Sequence, residues 1–213
     1  MYELFLREYE FKKQVSCVSQ EPVCTDGFSK TKGLSELFRE LGGGGVVNGV
    51  YRVLCPEKAE LWAAFIIAVF PHFSGRILPF GYDWLGRFYC LDFDRHQDNT
   101  PLVLLFSHLT NEVLEVPVGL LEFHNVTLVQ QKEPALEVAM FRAFLGEHQL
   151  SGLPYGQCAD LTVPLYLGGA YSADNMKVVD LSTSWDIAAQ LVAQTSALAE
   201  GERVEGVIFK PDS

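Results

Sequence analysis

The densest group of potential metal ligands in the sequence comprises aspartates and one histidine: Asp92, Asp94, His96 and Asp98. Such oxygen and nitrogen ligands suit a divalent cation, and a metal-dependent enzyme is one interpretation of them. An EF-hand would also need a glycine and a distal glutamate in register, and neither is present. We favour the second interpretation, a solvated acidic loop that contains Asp94 and Asp98, and predict no metal site.

Other catalytic patterns are absent from the sequence. There is no GxSxG nucleophile motif and no HExxH zinc motif. The glycine run Gly42–Gly45 follows a predicted helix and precedes a predicted strand. Phosphate-binding loops have the reverse order, in which a helix N-terminus points at the phosphate. We therefore predict no catalytic residue, no cofactor and no enzymatic activity.

The turn from Gly81 to Arg87 carries residue types that dominate protein interfaces, namely Tyr82, Asp83, Trp84 and Arg87. A hairpin turn needs glycine and aspartate but does not need an exposed tyrosine and tryptophan. One interpretation makes these four residues, together with Asp94 and Asp98, a partner-binding surface. In the other, Trp84 folds back over the core and anchors the turn.

The formal net charge is −11, from 16 lysines and arginines against 27 aspartates and glutamates. Such a surface repels nucleic-acid phosphates and anionic lipids, and attracts a basic partner. The longest apolar run, Leu61–Phe70, is too short for a membrane helix of about 20 residues. We predict a basic protein partner and no binding to nucleic acid or membrane, and the sequence leaves the oligomeric state open.

The five cysteines lie at positions 17, 24, 55, 90 and 158. The odd count and the absence of a CxxC pair predict neither disulfides nor a zinc site, and Cys90 is expected in the core. Free cysteines favour a reducing compartment. The first residues carry charges and lack the apolar region of a signal peptide, so we expect a cytoplasmic protein.

Hydrophobic periodicity predicts an α+β fold with a central, mainly antiparallel sheet of hairpins, flanked by N-terminal and C-terminal helices. Short connections between apolar runs require antiparallel pairing. The predicted strands are Val50–Leu54, Arg76–Phe80, Arg87–Phe93, Leu102–Phe106, Glu112–Val116, Thr162–Leu167 and Met176–Leu181. The predicted helices are a run at Leu34–Leu41, one opened by Pro56, a short one at Val118–His124, Pro134–Leu145, and one from a capping box at Thr183 to Leu198.

Two stretches of the sequence resemble known bacterial families. The stretch Ile77–Asp92 is similar to the central hairpin of immunity proteins in and around the SUKH superfamily. The stretch Val163–Gly169, followed by Asn175, Asp180 and Trp185, resembles the C-terminal domain of type VI secretion DNase-immunity proteins, which follows a GAD-like region in that family.

This resemblance implies an SUKH-like α+β fold and stoichiometric neutralisation of a cognate secreted toxin, a nuclease, in the cytoplasm. It divides the chain into an N-terminal arm at 1–30, a GAD-like region at 31–130 and a C-terminal immunity-type region at 131–213, packed as one compact unit. The alternatives are a regulatory or scaffold protein of SUKH type and the metal-dependent enzyme described above.

Overall fold

The computed structural model of the chain describes residues 1–19 and 31–195. Within them, a seven-stranded sheet pairs each strand antiparallel with the next along the chain. Its strands are β1 (Phe11–Lys13), β2 (Gly44–Val46), β3 (Tyr51–Val53), β4 (Ile77–Asp83), β5 (Phe88–Gln97), β6 (Thr100–Ser107) and β7 (Glu112–Gly119). A separate antiparallel pair is formed by β8 (Gln157–Leu161) and β9 (Met176–Asp180). The predicted α+β fold with an antiparallel sheet is confirmed.

Helices precede, interrupt and follow the sheet. They are α1 (Glu3–Glu8), α2 (Leu34–Leu41), α3 (Ala59–Val69), α4 (Leu120–Glu122), α5 (Leu128–Gln130), α6 (Lys132–Leu136), α7 (Val138–Glu147) and α8 (Leu181–Thr195). A π-helical segment, Phe123–Thr127, joins α4 to α5. Among the helices of the described ranges, none has both the length and the apolar character needed to cross a membrane.

Both faces of the large sheet are covered, because strand side chains alternate between two apolar layers. On one face the ring of Phe123 packs 4.9 Å from that of Tyr89. On the other face Phe88, in β5, packs against Trp62 of α3 and Trp185 of α8 at ring distances of 5.2 Å. The sheet is therefore the middle layer of a helix–sheet–helix arrangement.

The apolar spacing correctly predicted α2, whose buried face consists of Leu34, Leu37, Phe38 and Leu41. Pro56 opens a short 3-10 turn, and α3 then begins at Ala59. This helix is less enclosed than its composition predicts, since Leu61, Ala64 and Ala68 are exposed.

Three predicted elements differ from the structure. Residues 162–167 are not a strand: the partner of β9 is the preceding segment, Gln157–Leu161, which is not among the predicted strands. The helix predicted at Pro134–Leu145 is broken at Glu137, which adopts left-handed backbone angles between α6 and α7. Helix α8 begins at Leu181, before the predicted cap at Thr183, and the predicted end at Leu198 lies outside the described residues.

Of the N-terminal arm predicted at 1–30, residues 1–19 are described, and they provide a helix, α1, and an edge strand, β1. Phe5 and Tyr9 are buried in the main core. The described part of the arm is therefore packed against the regions that follow it.

Candidate functional site

The turn between β4 and β5 is buried, which corrects the interpretation of Tyr82, Asp83, Trp84 and Arg87 as an exposed binding surface. Tyr82, Asp83 and Trp84 are 0% exposed, and the Arg87 side chain is 12% exposed. The indole nitrogen of Trp84 donates to the carbonyl of Leu136 at 2.8 Å, and the ring packs against Phe141 and Phe144. The alternative interpretation, in which Trp84 anchors the turn in the core, is confirmed.

Asp83 and Arg87 hold this turn together. The carboxylate of Asp83 accepts hydrogen bonds from the backbone nitrogens of Leu85 and Arg87, and from Arg87 Nε at 2.6 Å. Arg87 Nη1 donates at 2.7 Å to Glu137, the residue at which the helix is broken. Burial opposes the charge of Arg87, but these carboxylates keep its pKa above the ordinary value. Their role in the fold is to join β4 to the α6–α7 junction.

The four candidate metal ligands between Asp92 and Asp98 have different environments. Asp92 is buried, and its carboxylate accepts two hydrogen bonds from Arg76, at 2.9 and 2.6 Å. Asp94 is 65% exposed and lies 3.3 Å from Arg76 Nε. His96 and Asp98 are exposed at the end of the β5–β6 hairpin. In the described part of the chain these four residues do not form a group of converging metal ligands.

The structure corrects the prediction that the chain has no disulfide. Cys17 and Cys55 form one, across a sequence separation of 38 residues. Beside it, Glu57 accepts hydrogen bonds from the backbone nitrogens of Val18 and Ser19. These three side chains, Cys17, Cys55 and Glu57, are also the one group of converging metal-ligand atoms in residues 1–19 and 31–195, but both sulfurs are used by the bridge. The cysteine pattern therefore no longer supports a reducing compartment.

The predicted core position of Cys90 is confirmed, since it is free and fully buried. Cys158 is also free and buried, and burial raises its pKa well above the ordinary value. Neither thiol has the lowered pKa of a reactive cysteine.

A buried polar group that the sequence did not reveal lies where α8 meets the small sheet. Ser184 Oγ lies 2.7 Å from His108 Nε2 and donates to Asp160 at 2.8 Å. All three residues are more than nine-tenths buried. Burial opposes the ionisation of Asp160, but hydrogen bonds from His108, Ser184 and the Leu161 backbone lower its pKa. Because the three residues come from distant segments, no local spacing marks them.

The connection pattern of these residues differs from that of a serine hydrolase triad. There, the aspartate binds the imidazole nitrogen opposite the serine. Here Ser184 and Asp160 both lie at Nε2 of His108, and Nδ1 has no hydrogen-bond partner among the described residues. The hydroxyl of Ser184 donates its single proton to Asp160, whereas a triad serine donates to the imidazole. The three residues therefore form a buried polar network without triad geometry.

An apolar cavity of about 310 Å³ adjoins this polar group. It lies between the loop 162–167, β9 and α8. Its lining residues are His108, Leu109, Asp160, Leu161, Thr162, Val163, Pro164, Tyr166, Leu167, Lys177, Ser184, Ile187, Ala188 and Leu191. A volume of this size lies at the lower end of the range for small-molecule sites, roughly 300–1,000 Å³.

Comparisons with known proteins bear on the fold alone. No model of a protein family matches the sequence, and no curated protein sequence matches it. The structure is similar to the crystal structure of Atu4351 from Agrobacterium tumefaciens, with a TM-score of 0.55 and 19% sequence identity over 89% of each chain. At that identity the shared feature is the overall architecture.

Proposed function

We propose that this chain is an immunity protein, which binds a basic secreted toxin, a nuclease, and neutralises it in a stoichiometric complex without turnover. The observation that carries the proposal is the exposed acidic end of the β5–β6 hairpin. Residues 96–99 are all exposed there, and Asp94 and Asp98 extend the negative charge into solvent. Together with Glu115 on the neighbouring edge strand, these two aspartates are called the acidic hairpin below.

The acidic hairpin keeps much of its charge available. Arg76 is already bound through two hydrogen bonds to the buried carboxylate of Asp92, so it neutralises Asp94 only in part. Asp98 has no ion-pair partner among the described residues. Glu115 is 70% exposed, although Arg95 lies 3.0 Å from its carboxylate.

A nuclease that binds DNA needs a positively charged cleft, because nucleic-acid affinity comes largely from phosphate contacts. Exposed carboxylates can take the place of those phosphates and also raise the association rate. The net charge of −11 acts in the same direction at long range. Because the same negative charge repels nucleic-acid phosphates and anionic lipids, the proposal includes neither nucleic acid nor membrane as a partner.

The proposal places the protein in the cytoplasm, because a nuclease delivered into a cell reaches DNA there, and in that reducing compartment Cys17 and Cys55 would be thiols. It also draws on the resemblance of the 77–92 and 163–169 stretches to immunity proteins. A regulatory protein of SUKH type would use the same surface for an endogenous partner.

The test is co-expression of the chain with the product of the neighbouring gene, where this proposal expects the toxin, followed by affinity co-purification across a salt series. We expect a one-to-one complex that weakens as salt rises, because salt screens exposed charges. The double variant Asp94→Lys/Asp98→Lys should weaken the complex by roughly tenfold or more. Both side chains are exposed, but Asp98 has a left-handed backbone conformation with φ of 50°, so the lysine there should cost about 1 kcal/mol and lower the melting temperature slightly without unfolding the protein.

The matched control is Glu3→Lys/Glu60→Lys, which makes the same change in net charge at two other exposed positions. It should retain most of the affinity. If both double variants lost the same affinity for the toxin, the acidic hairpin would act only through the net charge. That result would contradict its role as the binding surface. Failure to recover the toxin, with recovery of an endogenous protein instead, would favour the regulatory function.

A further inference from the structure

The cavity beside α8 shares no residue with the acidic hairpin and needs an explanation of its own. Its walls are held open by specific contacts. The side-chain amide of Asn175 donates to the carbonyls of Val163 and Ala170, at 2.8 and 2.9 Å, and accepts from the Val163 nitrogen at 3.0 Å. These bonds fix both ends of the loop that forms one wall.

Gly169 lets the same loop close on itself. A Cβ atom at this position would lie 1.8 Å from the carbonyl oxygen of Val163, so a side chain there would displace the backbone. The segment from Val163 to Leu167 thereby keeps a fixed position opposite α8, from which Ile187, Ala188 and Leu191 line the cavity. The space is part of the folded architecture.

Two residues that line the cavity, His108 and Tyr166, each carry a polar atom without a protein partner among the described residues. His108 is 3% exposed, and its Nδ1 has no hydrogen-bond partner in the described residues. The hydroxyl of Tyr166 is likewise buried and unpartnered there. Both atoms are enclosed by protein, and leaving them unpaired costs about 1–3 kcal/mol each.

Lys177 adds a positive charge to a lining that is mainly apolar and also contains the Asp160 carboxylate. It is exposed, it belongs to β9, and it lies opposite Asp160 in the strand pairing. Asp160 is occupied by Ser184 and by the Leu161 nitrogen, and Lys177 has no ion-pair partner in the described part of the chain. The lysine is therefore free to bind an anionic group of a ligand.

We infer that the cavity binds a small organic anion, with its apolar body between the 163–167 loop and α8 and its acidic group at Lys177. The chemical class is that of aryl carboxylates or medium-chain alkyl carboxylates. The volume accommodates a compact ring system or a short chain, and the apolar walls contribute through burial of apolar surface.

The test uses anilinonaphthalene sulfonate, an apolar aromatic anion, titrated into the folded full-length chain by calorimetry. We expect saturable binding of one molecule per chain. Ala188→Phe should abolish it, because the new ring occupies the cavity. The matched control Ala193→Phe, an exposed position on the same helix, should leave it unchanged.

A second variant covers the case in which Ala188→Phe does not fold. Lys177→Glu changes an exposed side chain and should weaken binding by roughly threefold or more, whereas Lys12→Glu on β1 should not. Decanoate should displace the probe, and decyltrimethylammonium should not. Absence of saturable binding, equal binding by both alanine variants, or equal displacement by the cation would overturn the inference.

Discussion

At the scale of single residues, His124 is the clearest buried titratable group. It is 0% exposed, its Nδ1 donates to the carbonyl of Leu120 at 2.8 Å, and its Nε2 accepts from the hydroxyl of Tyr51 at 2.9 Å. Both ring nitrogens are used in the neutral form. Burial lowers its pKa from 6.5 to about 4, although the bond to Leu120 opposes that shift.

We predict that this histidine makes the protein less stable in mild acid. The unfolded chain takes up a proton near pH 6.5 and the folded chain only near pH 4, so stability is full above pH 6.5 and falls between these values. The loss from His124 should be about 2 kcal/mol between pH 7 and pH 5, measured by urea unfolding. His124→Gln should be less stable at pH 7 but should lack that part of the pH dependence.

His72→Gln is the control, since His72 is exposed and the substitution is the same. It should keep the wild-type dependence on pH. If His124→Gln showed an undiminished loss between pH 7 and pH 5, another group would be responsible.

Residue types alone did not determine which side chains face solvent. Tyr82, Trp84 and Arg87 are typical of interfaces, yet their partners here are Gly156, Leu136 and Glu137, which are far away in sequence. Asp94 and Asp98 were predicted in a solvated acidic loop, and the structure exposes both. The difference arises because a local pattern identifies a turn, whereas burial depends on what packs over it.

At the scale of elements, apolar runs and periodicity predicted β3 to β7, β9 and α2, but not the short strands β1 and β2. They failed where a long-range contact overrides the local pattern. Glu137 takes a left-handed conformation and binds Arg87, 50 residues away. The apolar run at 162–167 lies in a loop because Asn175 binds its backbone, and β8 pairs with β9 instead.

The disulfide between Cys17 and Cys55 is an element-scale constraint, because it attaches the segment after β1 to the turn before α3. By closing a loop across a sequence separation of 38 residues, it should restrict the unfolded chain and add about 3–4 kcal/mol to the free energy of unfolding. Cys17→Ser should lose that amount in oxidising buffer, as measured by urea denaturation.

Cys24→Ser serves as the matched control and should retain the bridge and its stability. Reducing agent should destabilise the wild type to the level of Cys17→Ser and should leave Cys17→Ser unchanged. Equal stability of the wild type and Cys17→Ser under oxidising conditions would show that the bridge is absent or without effect.

At the scale of the molecule, the turn between β4 and β5 joins the predicted 31–130 and 131–213 regions. The Ala159 nitrogen donates to the carbonyl of Trp84 at 2.7 Å, and the Trp185 indole donates to the carbonyl of Gly86 at 2.8 Å. With the Trp84 bond to Leu136, these contacts attach β8, α8 and α6 to one turn of the large sheet. The buried apolar residues of both regions belong to one cluster.

We therefore predict that the two regions unfold together, in a single transition seen equally by tryptophan fluorescence and by far-ultraviolet circular dichroism. Trp84→Ala should lower the free energy of unfolding by about 3–5 kcal/mol, because it empties space beside Phe141 and Phe144 and leaves the Leu136 carbonyl unpaired. Leu61→Ala, at a position that is 48% exposed, is the control and should cost about 1 kcal/mol or less. Two separate transitions in the wild type would contradict the shared core. An unchanged melting temperature of Trp84→Ala would contradict the burial of this side chain. The turn would then again be a candidate binding surface.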